Sequence, residues 1–493
     1  MVRVPDRLRE HVLRVCGDAL TEAVLAAFPG GNLPGTPAEF HALEDSLLSM
    51  ARAHLVAPVL VEVAHEVHRH EEFVEWCMAA AARREDLRSH GDTEVHVRLV
   101  GGAETRVLTP YMAPPTPQGK PGPRKKRGRR GKGGGGLYPV LAALGLLART
   151  SPSVASATAR AAARAGSFEE AGEALAEQGL ELHADTVRTL TGHVADAGLA
   201  DREFALPIDR SLAGQRVVIA PDGGRTRCRY EKGGRRRDSG YHGYETPWRE
   251  PKVFAAYVIN EAGRHDRSQL PVYEGTFAPW RGAVEILAKT LRRHGIEEAE
   301  LVVIAADGSN NIWDQVDRLV ELLGIDRSKL RFVIDFYHAV EHLHDASKLS
   351  NGFATEQQRR QWVNKQCRRL KRGQVEKILF ATGALPTADA EAAEALQAEC
   401  AYFRSRKEKM RYDKLRREGL PIGTGAVESA IRRIVNLRLK GPGIFWKPEN
   451  AERILYLRCR LKAGRWSEVE AALHRAALRS KRSAEPTVLA QVA

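Results

Sequence analysis

The sequence predicts a multidomain protein that combines an α/β core with helical regions. Three observations support this fold class. The chain has 493 residues, and a domain takes roughly 150 residues on average, which indicates about three domains. Apolar residues recur every three or four positions in residues 1–92 and 139–202, as in amphipathic helices. In residues 210–345, short apolar runs alternate with helical patterns, as they do in α/β domains.

The composition is that of a soluble protein with a polyanionic partner. Lys and Arg number 76 against 62 Asp and Glu, a formal net charge of +14, which makes a polyanionic partner the first hypothesis. Hydrophobic residues make up 43% of the chain, which excludes a wholly disordered or collagen-like protein. No uncharged apolar run approaches the ~18 residues of a membrane span, and the N-terminus lacks a signal peptide's apolar stretch. We therefore expect a cytoplasmic protein without membrane contact.

The first part of the chain changes character twice. Residues 1–92 read as a helical N-terminal region, and alternation in residues 93–109 around Gly101 and Gly102 predicts a β-hairpin. Residues 110–136 combine Pro and Gly with basic side chains and no acid, which predicts a flexible linker. Because phosphate contacts release counterions, this linker is expected to tether DNA, the alternative being a solvated charge run. The expected DNA-binding side chains are Arg124, Lys125, Lys126, Arg127, Arg129 and Arg130.

Two features that suggest metal or redox chemistry are weak. His65, His68 and His70 are close in sequence, but their spacing is not the HExxH pattern that places two ligands one helical turn apart. The six cysteines are scattered without a CxxC pair, so we expect reduced thiols and no zinc site.

Residues 139–202 have the pattern of a helix-turn-helix. Ser167 is a candidate helix cap and Gly179 a candidate turn residue before a second helix. In that arrangement Asp185, Thr186 and Arg188 lie at the start of the recognition helix, where side chains meet phosphates and base edges. An ordinary helical hairpin is the alternative.

The α/β region contains five predicted strands. The first ends at Asp222, the second lies in residues 226–231, the third begins at Lys252, the fourth ends at Asp307 and the fifth leads into Asp335. Three strands, a helix, a strand, a helix and a strand is the order of a ribonuclease H-like domain. By analogy with that fold, the first strand lies beside the fourth. Asp222 and Asp307 are then expected to meet.

A third acid is expected on a later helix. Residues 346–418 read as a helical insertion into the core, and residues 419–466 as a glutamate-bearing helix and the end of the core. Glu428 lies in the first turns of that helix, with Thr424 as its candidate N-cap. Taken singly, the two aspartates suit turns, and Glu428 suits the positive end of a helix.

Convergent carboxylates repel one another unless a cation offsets their charge. Magnesium prefers oxygen ligands, and two ions about 3.5–4 Å apart bind the attacking and leaving oxygens of a phosphoryl displacement. We therefore expect two Mg²⁺ ions, with Mn²⁺ as a possible substitute, and nuclease or strand-transfer chemistry.

Five segments carry a family resemblance, namely PDGGRTR, AADGSNNIWD, DFYHAVEHL, LPIGTGAVESAIRR and LKGPGIFW. They resemble successive motifs of bacterial insertion-sequence transposases of the ISKra type, over roughly residues 93–466. The resemblance implies a DDE transposase in which Asp222, Asp307 and Glu428 are the catalytic, metal-binding acids. Spacing alone does not distinguish Glu428 from Glu418.

The resemblance also points to accessory residues. Asp335 and His338 match an aspartate-x-x-histidine element that follows the second acid in several DDE groups. His338 would contact DNA or orient a water molecule, and the alternative is a capped strand end. The insertion carries aromatic residues among basic ones, either for stacking on unpaired bases or for the core. They are Trp362, Tyr402, Phe403 and Tyr412.

Three residues beyond Glu428 are further candidates for DNA contact. Arg432 and Arg433 follow it on the same predicted helix, and Trp446 lies on a glycine-rich turn. Trp446 would stack on a base near the cleavage point or pack beneath the site.

The leading hypothesis is a DDE transposase that binds terminal inverted repeats and target DNA and catalyses hydrolysis and strand transfer. The alternatives are a ribonuclease H-like, structure-specific nuclease and a catalytically inactive DNA-binding protein derived from a transposase. Because two ends must be brought together, we expect a homodimer or larger assembly, associated with the nucleoid when bound to DNA. Residues 467–493 read as a C-terminal tail.

Overall fold

The structure is a computed structural model that describes seven stretches of the chain: residues 5–26, 36–85, 87–114, 136–146, 148–204, 207–232 and 243–477. These residues form a mixed α/β structure, 58% helical, with a mixed five-stranded sheet. The chain divides into two compact units. Unit 1 is Met1–Asp201 with Ser467–Ala493, and unit 2 is Arg202–Trp466. The predicted tether residues Arg124, Lys125, Lys126, Arg127, Arg129 and Arg130 lie outside the described residues.

Unit 1 begins with helices and a hairpin. The helices are α1 (Asp6–Cys16), α2 (Asp18–Ala26), α3 (Pro37–Met50), α4 (Ala57–Arg69) and α5 (Glu71–Glu85), with a π-helical segment, Ala51–Val56, between α3 and α4. Strands β1 (Arg88–Arg98) and β2 (Glu104–Ala113) pair antiparallel where alternation predicts a hairpin. Residues 110–113 belong to β2 rather than to the linker, because Met112 is buried and pairs with Leu137.

The continuous helix over residues 38–69 is long and apolar enough to cross a membrane by length and composition alone. It carries Arg52 and Glu62, so a search for uncharged runs does not find it. One such helix is weak evidence, since helices of soluble proteins meet the same test.

The three clustered histidines each have a separate hydrogen-bond partner. His65 Nε2 lies 3.1 Å from Thr105 Oγ1, His68 Nδ1 lies 2.7 Å from the carbonyl oxygen of Ala64, and His70 Nδ1 accepts from an amide at 3.3 Å. They are structural side chains of α4 and its C-terminal end.

The rest of unit 1 is helical. Its elements are α6 (Pro139–Ala143), α7 (Pro152–Arg164), α8 (Phe168–Ala176), α9 (Ala184–Arg202) and, at the far end of the chain, α20 (Trp466–Ala477). Ser167 caps α8 by accepting from the Glu170 amide at 3.0 Å, and Gly179 has a left-handed φ of 77° in the turn before α9. Buried Leu175, Leu180 and Val187 hold α7, α8 and α9 together.

The predicted tail includes helix α20, which belongs to unit 1. Arg475 Nε and Nη2 donate to the two carboxylate oxygens of Asp201 at 2.8 and 2.9 Å. Ser156 Oγ donates to Glu470 Oε1 at 2.8 Å. Residues 478–493 lie outside the described part of the chain.

Unit 2 is built on a five-stranded sheet. Its strands and ribbons are β3 (Arg216–Gly223), β4 (Thr226–Arg227), β5 (Tyr230–Glu231), β6 (Tyr244–Glu245), β7 (Trp248–Arg249), β8 (Lys252–Val258), β9 (Val272–Thr276), β10 (Leu301–Ala306) and β11 (Leu330–Ile334). The sheet order is β11-β10-β3-β8-β9. β10 is parallel to both β3 and β11, whereas β8 is antiparallel to β3 and β9. The first and fourth predicted strands are therefore neighbours, as expected.

One predicted strand is wrong. Residues 226–231 do not join the sheet but form two short ribbons, β4 with β7 and β5 with β6. The third sheet strand after β3 and β8 is instead β9, whose five residues are all buried. Its pattern, VYEGT, does not look like a core strand because it places Glu274 at its centre. The predicted second and third strands are thus shifted by one along the chain.

Helices cover both faces of the sheet. They are α10 (Trp280–Arg292), α11 (Asn310–Trp313), α12 (Val316–Leu323), α13 (Phe336–Lys348), α14 (Glu356–Lys371), α15 (Val375–Gly383), α16 (Ala390–Arg406), α17 (Tyr412–Arg417), α18 (Gly425–Ile431) and α19 (Pro448–Lys462). Val217 and Ile219 of β3 pack against α10 and α12, and Val218 packs on the opposite face with α13 and the insertion helices. Successive side chains of β3 are therefore buried on opposite faces of the sheet.

Glu274 is fully buried and ion-paired. Arg460 Nη2 lies 2.9 Å from Glu274 Oε2, Arg202 Nη1 lies 3.3 Å from Oε1, and Thr290 Oγ1 donates to Oε2 at 2.8 Å. Burial opposes ionisation of Glu274, but Arg460 and Arg202 outweigh it and lower its pKa to about 2. The third sheet strand is therefore anchored through charge to α19.

Candidate active site

Asp222 and Asp307 lie side by side at one edge of the sheet. Ile219 of β3 is paired with Ile304 of β10, and each aspartate follows its isoleucine by the same number of residues. Parallel strands in register bring equivalent positions to the same level. Both aspartates are half-buried, and they follow the buried stretches 217–221 and 302–306.

The electrostatics of Asp222 connect all three predicted acids. Burial raises the pKa of Asp222 to about 6, and the charges of Asp307, Glu428 and Glu250 add to the increase. The Gly223 amide donates to Asp222 Oδ1 at 2.7 Å, and this hydrogen bond opposes the increase in pKa. The charges of the other two acids named from the sequence, and that of a fourth, Glu250, therefore act on Asp222.

Glu250 was not found by sequence reasoning. It lies between β7 and β8, with Oε2 3.2 Å from Lys252 Nζ. A Cβ at Gly223 would come within 2.4 Å of Glu250 Oε1, so the glycine makes room for this carboxylate. No signal in the polar segment around Glu250 indicates this placement, which depends on the antiparallel pairing of β8 with β3.

Asp307 forms the turn that was one of the two roles left open by the sequence. Its Oδ1 accepts from the Ser309 amide at 2.9 Å, and its carbonyl oxygen accepts from Trp313 Nε1 at 2.6 Å. These bonds form the turn into α11. The same carboxylate acts electrostatically on Asp222, so forming the turn does not remove it from the site.

Glu428 is exposed in the first turn of α18, which packs on β3 and β8. Thr424 holds the N-cap position, but its side chain makes no cap bond within α18. Its hydroxyl donates instead to Asp335 Oδ2, and its amide donates to the same oxygen at 2.6 Å.

Asp335 therefore joins two elements of the site. It is 2% exposed, and its other carboxylate oxygen, Oδ1, accepts from the amides of Tyr337 and His338 at 2.6 and 3.2 Å. The side chain caps α13 while holding Thr424 at the start of α18. Asp335 thus ends the connection from β11 and caps α13, and it also positions the helix that carries Glu428.

The other end of the glutamate helix is held by a buried arginine. Residues 432–436 continue α18 as a π-helical turn. Arg458 of α19 is 2% exposed, and it donates through Nε to the Ile434 carbonyl oxygen at 2.6 Å and through Nη2 to that of Arg433. Burial lowers the pKa of Arg458 to about 10, so it stays charged at neutral pH.

Tyr402 of the insertion borders the site from the side of Asp307. Its ring fills the space of a missing side chain at Gly308, where a Cβ would lie 2.0 Å from a ring carbon. Tyr402 is 8% exposed, and within the described stretches its hydroxyl has no hydrogen-bond partner. Burial raises the pKa of this hydroxyl, and Asp307 and Asp335 add to the effect, so Tyr402 is a neutral donor.

His338 is linked to Tyr402 through a second histidine. Its Nδ1 lies 3.1 Å from Glu341 Oε2, and its ring meets the His342 ring edge-on at 5.1 Å. The His342 ring stacks on Tyr402 at 3.6 Å. His338 itself is partly exposed.

The predicted DNA-reading residues of α9 are at the start of the helix. Arg188 Nη2 lies 2.9 Å from Asp185 Oδ1, and both side chains are exposed, whereas Thr186 is half-buried. The arginine is therefore oriented by a neighbour on its own helix and faces solvent.

The candidates beyond Glu428 differ in exposure. Arg432 is exposed, whereas Arg433 donates through Nη2 to Tyr273 Oη at 2.9 Å. Trp446 is buried, with the Arg438 guanidinium 4.7 Å from its ring centre. This is the packing role that the sequence left open for Trp446, and a buried indole is not positioned to stack on a base.

The donor chemistry of the site suits a hard divalent cation. Asp222, Asp307, Glu428 and Glu250 offer only carboxylate oxygens, the ligands that magnesium prefers. Within the described ranges, no three His, Cys, Asp or Glu side chains form a preassembled metal-binding group. Burial is the main cause of the raised pKa of Asp222, and repulsion by the neighbouring carboxylates adds to it.

Two comparisons with known proteins returned no match. No family model matches the sequence, and no curated protein matches it.

The Asp335–Thr424 contact leads to a prediction about the glutamate helix. Replacing Asp335 by alanine removes charge-assisted hydrogen bonds from a buried site, and we expect unit 2 to lose roughly 2–4 kcal/mol of unfolding free energy. Hydrogen exchange should show faster exchange of the amides in residues 424–431. The control is Asp345→Ala, which removes an exposed pair with Lys348 and should change stability by under about 0.5 kcal/mol. Unchanged amide protection in Asp335→Ala would show that this contact does not position the helix.

Proposed function

We propose that this protein is a DDE transposase of the ISKra type with a ribonuclease H-like catalytic unit. In this proposal it binds the terminal inverted repeats of a mobile element, hydrolyses phosphodiester bonds at the ends and joins the freed 3′-hydroxyls to target DNA. It would work in the cytoplasm on nucleoid DNA as a homodimer or larger assembly.

The observation that carries the proposal is that Asp222 and Asp307 lie at the ends of adjacent parallel strands, and that the charge of Glu428 acts on Asp222. The three acids come from elements far apart in sequence, yet the charges of Asp307 and Glu428 both raise the pKa of Asp222. A purely structural set of turn aspartates has no need of a helical glutamate beside them. The strand order, with β8 antiparallel between β3 and β9, supports the ribonuclease H-like assignment.

The carboxylates of Asp222, Asp307 and Glu428 would hold two Mg²⁺ ions, or Mn²⁺, and Glu250 is placed to assist. When bound, two such ions stabilise the attacking and leaving oxygens of an in-line phosphoryl displacement. The protein's own residues supply the positioning. Asp335 and Arg458 fix the helix of Glu428, while the strand ends fix the two aspartates.

The remaining surfaces fit DNA contacts. Arg188 at the start of α9 and exposed Arg432 near Glu428 offer cations to phosphates. These residues orient a DNA strand rather than take part in bond exchange.

The test is a strand-transfer assay with labelled duplexes that carry the inverted repeats flanking the reading frame. We expect magnesium-dependent nicking at the repeat end, followed by joining of the labelled strand to a target plasmid, and neither reaction in EDTA. Nicking without joining would favour a structure-specific nuclease. Specific end binding without nicking would favour a DNA-binding protein that has lost catalysis.

A further inference from the structure

Aromatic rings and guanidinium groups form a row, and the residues that carry them are close in sequence to Asp222 or to the helix of Glu428. The row consists of Trp248, Arg227, Phe445, Tyr244 and Arg229, and we call it the aromatic–arginine row. Trp248 and Tyr244 are 49% and 51% exposed, and Phe445 is 37% exposed. Large rings at this level of exposure are not part of the core, so their placement requires another explanation.

The row is built by the two short ribbons and one later segment. Arg227 and Trp248 are directly paired across β4 and β7, and Tyr244 lies on β6 of the neighbouring ribbon. The segment containing Phe445 joins them, because the Trp446 amide donates to the Arg227 carbonyl oxygen at 3.1 Å and its carbonyl oxygen accepts from the Arg229 amide at 2.7 Å. Backbone pairing therefore holds all five side chains.

Each ring of the row has a guanidinium beside it. The Arg227 guanidinium carbon lies 4.9 Å from the Trp248 ring centre and 5.9 Å from that of Phe445. Phe445 and Tyr244 are 6.5 Å apart, and Arg229 lies 5.2 Å from the Tyr244 ring. Contacts of this length are within the range of cation–π interactions.

The chemistry of the row matches an unpaired DNA strand. Exposed rings stack on bases of any identity, and interleaved arginines contact the phosphates between them. In a duplex the base faces are already stacked, so only its phosphates are available to the row. Aromatic rings and arginines are also common at protein interfaces, but the net charge of +14 favours a polyanionic partner.

We propose that the aromatic–arginine row binds unpaired nucleotides of DNA. The inference deepens the proposed function and rests on it for the source of that strand, since β4 begins shortly after Asp222 and Phe445 follows the helix of Glu428. The strand on the row is the one opened at the element end. Binding itself requires neither magnesium nor the acids, so it is measurable separately.

The test compares single-stranded and duplex DNA on the full-length chain in EDTA. Fluorescence anisotropy of a labelled 20-nucleotide oligothymidine and of a labelled duplex gives the two affinities, at a salt concentration that weakens purely phosphate-based contacts. We expect the double variant Trp248→Ala/Tyr244→Ala to bind the single strand at least about tenfold more weakly, as loss of base stacking predicts. Its duplex affinity should change less than about twofold, because phosphate contacts dominate duplex binding.

Two variants provide the controls. Phe380→Ala removes a ring that is 81% exposed on α15 and should leave both affinities unchanged. Trp248→Phe keeps a stacking ring and should retain most of the single-strand affinity. A double variant that binds single strands as tightly as the parent overturns the proposal, and so does an equal loss for both DNA forms. The binding assay contains no metal, so its result does not decide whether the protein hydrolyses DNA. The magnesium-dependent nicking assay tests that separately.

Discussion

Replacing Asp307 by asparagine is expected to reduce magnesium-dependent nicking of end-bearing DNA by about 10³-fold, because a divalent cation supplies several kcal/mol of transition-state stabilisation. Asparagine keeps the side-chain volume and an oxygen that can accept from the Ser309 amide. The turn into α11 is therefore preserved, and the variant should fold and bind DNA as the parent does.

A calorimetric titration with magnesium distinguishes loss of the metal-binding site from other causes of inactivity. We expect Asp307→Asn to bind the ion more weakly, while Asp314→Asn, an exposed aspartate in the same connection, should keep parental binding and nicking. Parental nicking by Asp307→Asn would remove Asp307 from the site. Lost nicking with parental magnesium affinity would contradict its role as a ligand.

Replacing Arg460 by methionine is expected to lower the unfolding free energy of unit 2 by about 3–5 kcal/mol, the cost of leaving a buried charge undercompensated. Glu274 would keep Arg202 and Thr290 but lose its 2.9 Å contact with Arg460. Urea denaturation at pH 7 measures the change. Arg327→Met removes an exposed pair with Asp317 and should cost at most about 1 kcal/mol.

The same carboxylate predicts a pH dependence. The pKa of Glu274 is about 2 in the folded protein against an ordinary 4.5, so its ionised form stabilises the fold fully above about pH 4.5. This contribution is lost as the pH falls from 4.5 to 2. Glu274→Gln lacks a titrating group here. We therefore expect its stability deficit relative to the parent to shrink over that interval, and a constant deficit would contradict the assignment.

The strands that carry the two aspartates were predictable because burial on both faces demands continuous apolar runs. β9 was not, since Glu274 breaks its apolar pattern, and the arginines that make its burial tolerable lie far away in the chain. Local propensity carries no information about such distant partners.

The residues of the candidate site were likewise only partly predictable from the sequence. Asp222 and Asp307 followed from strand ends, and Glu428 followed from the family resemblance. The placement of Glu250 and of Tyr402 depends on space left by Gly223 and Gly308, a property of packed neighbours. The burial of Trp446 and the exposure of Phe445 follow from backbone pairing with Arg227 and Arg229, which no sequence period encodes.

Unit 2 interrupts unit 1 in the chain, and this has a consequence for synthesis. Proteins leave the ribosome from the N-terminus and fold domain by domain. A nascent chain that has emerged as far as Trp466 contains every residue of unit 2, whereas Asp201 of unit 1 still lacks Arg475. Unit 1 is therefore completed last, and a premature stop codon after Trp466 would give a chain with the acid site whole and its helical unit unfinished.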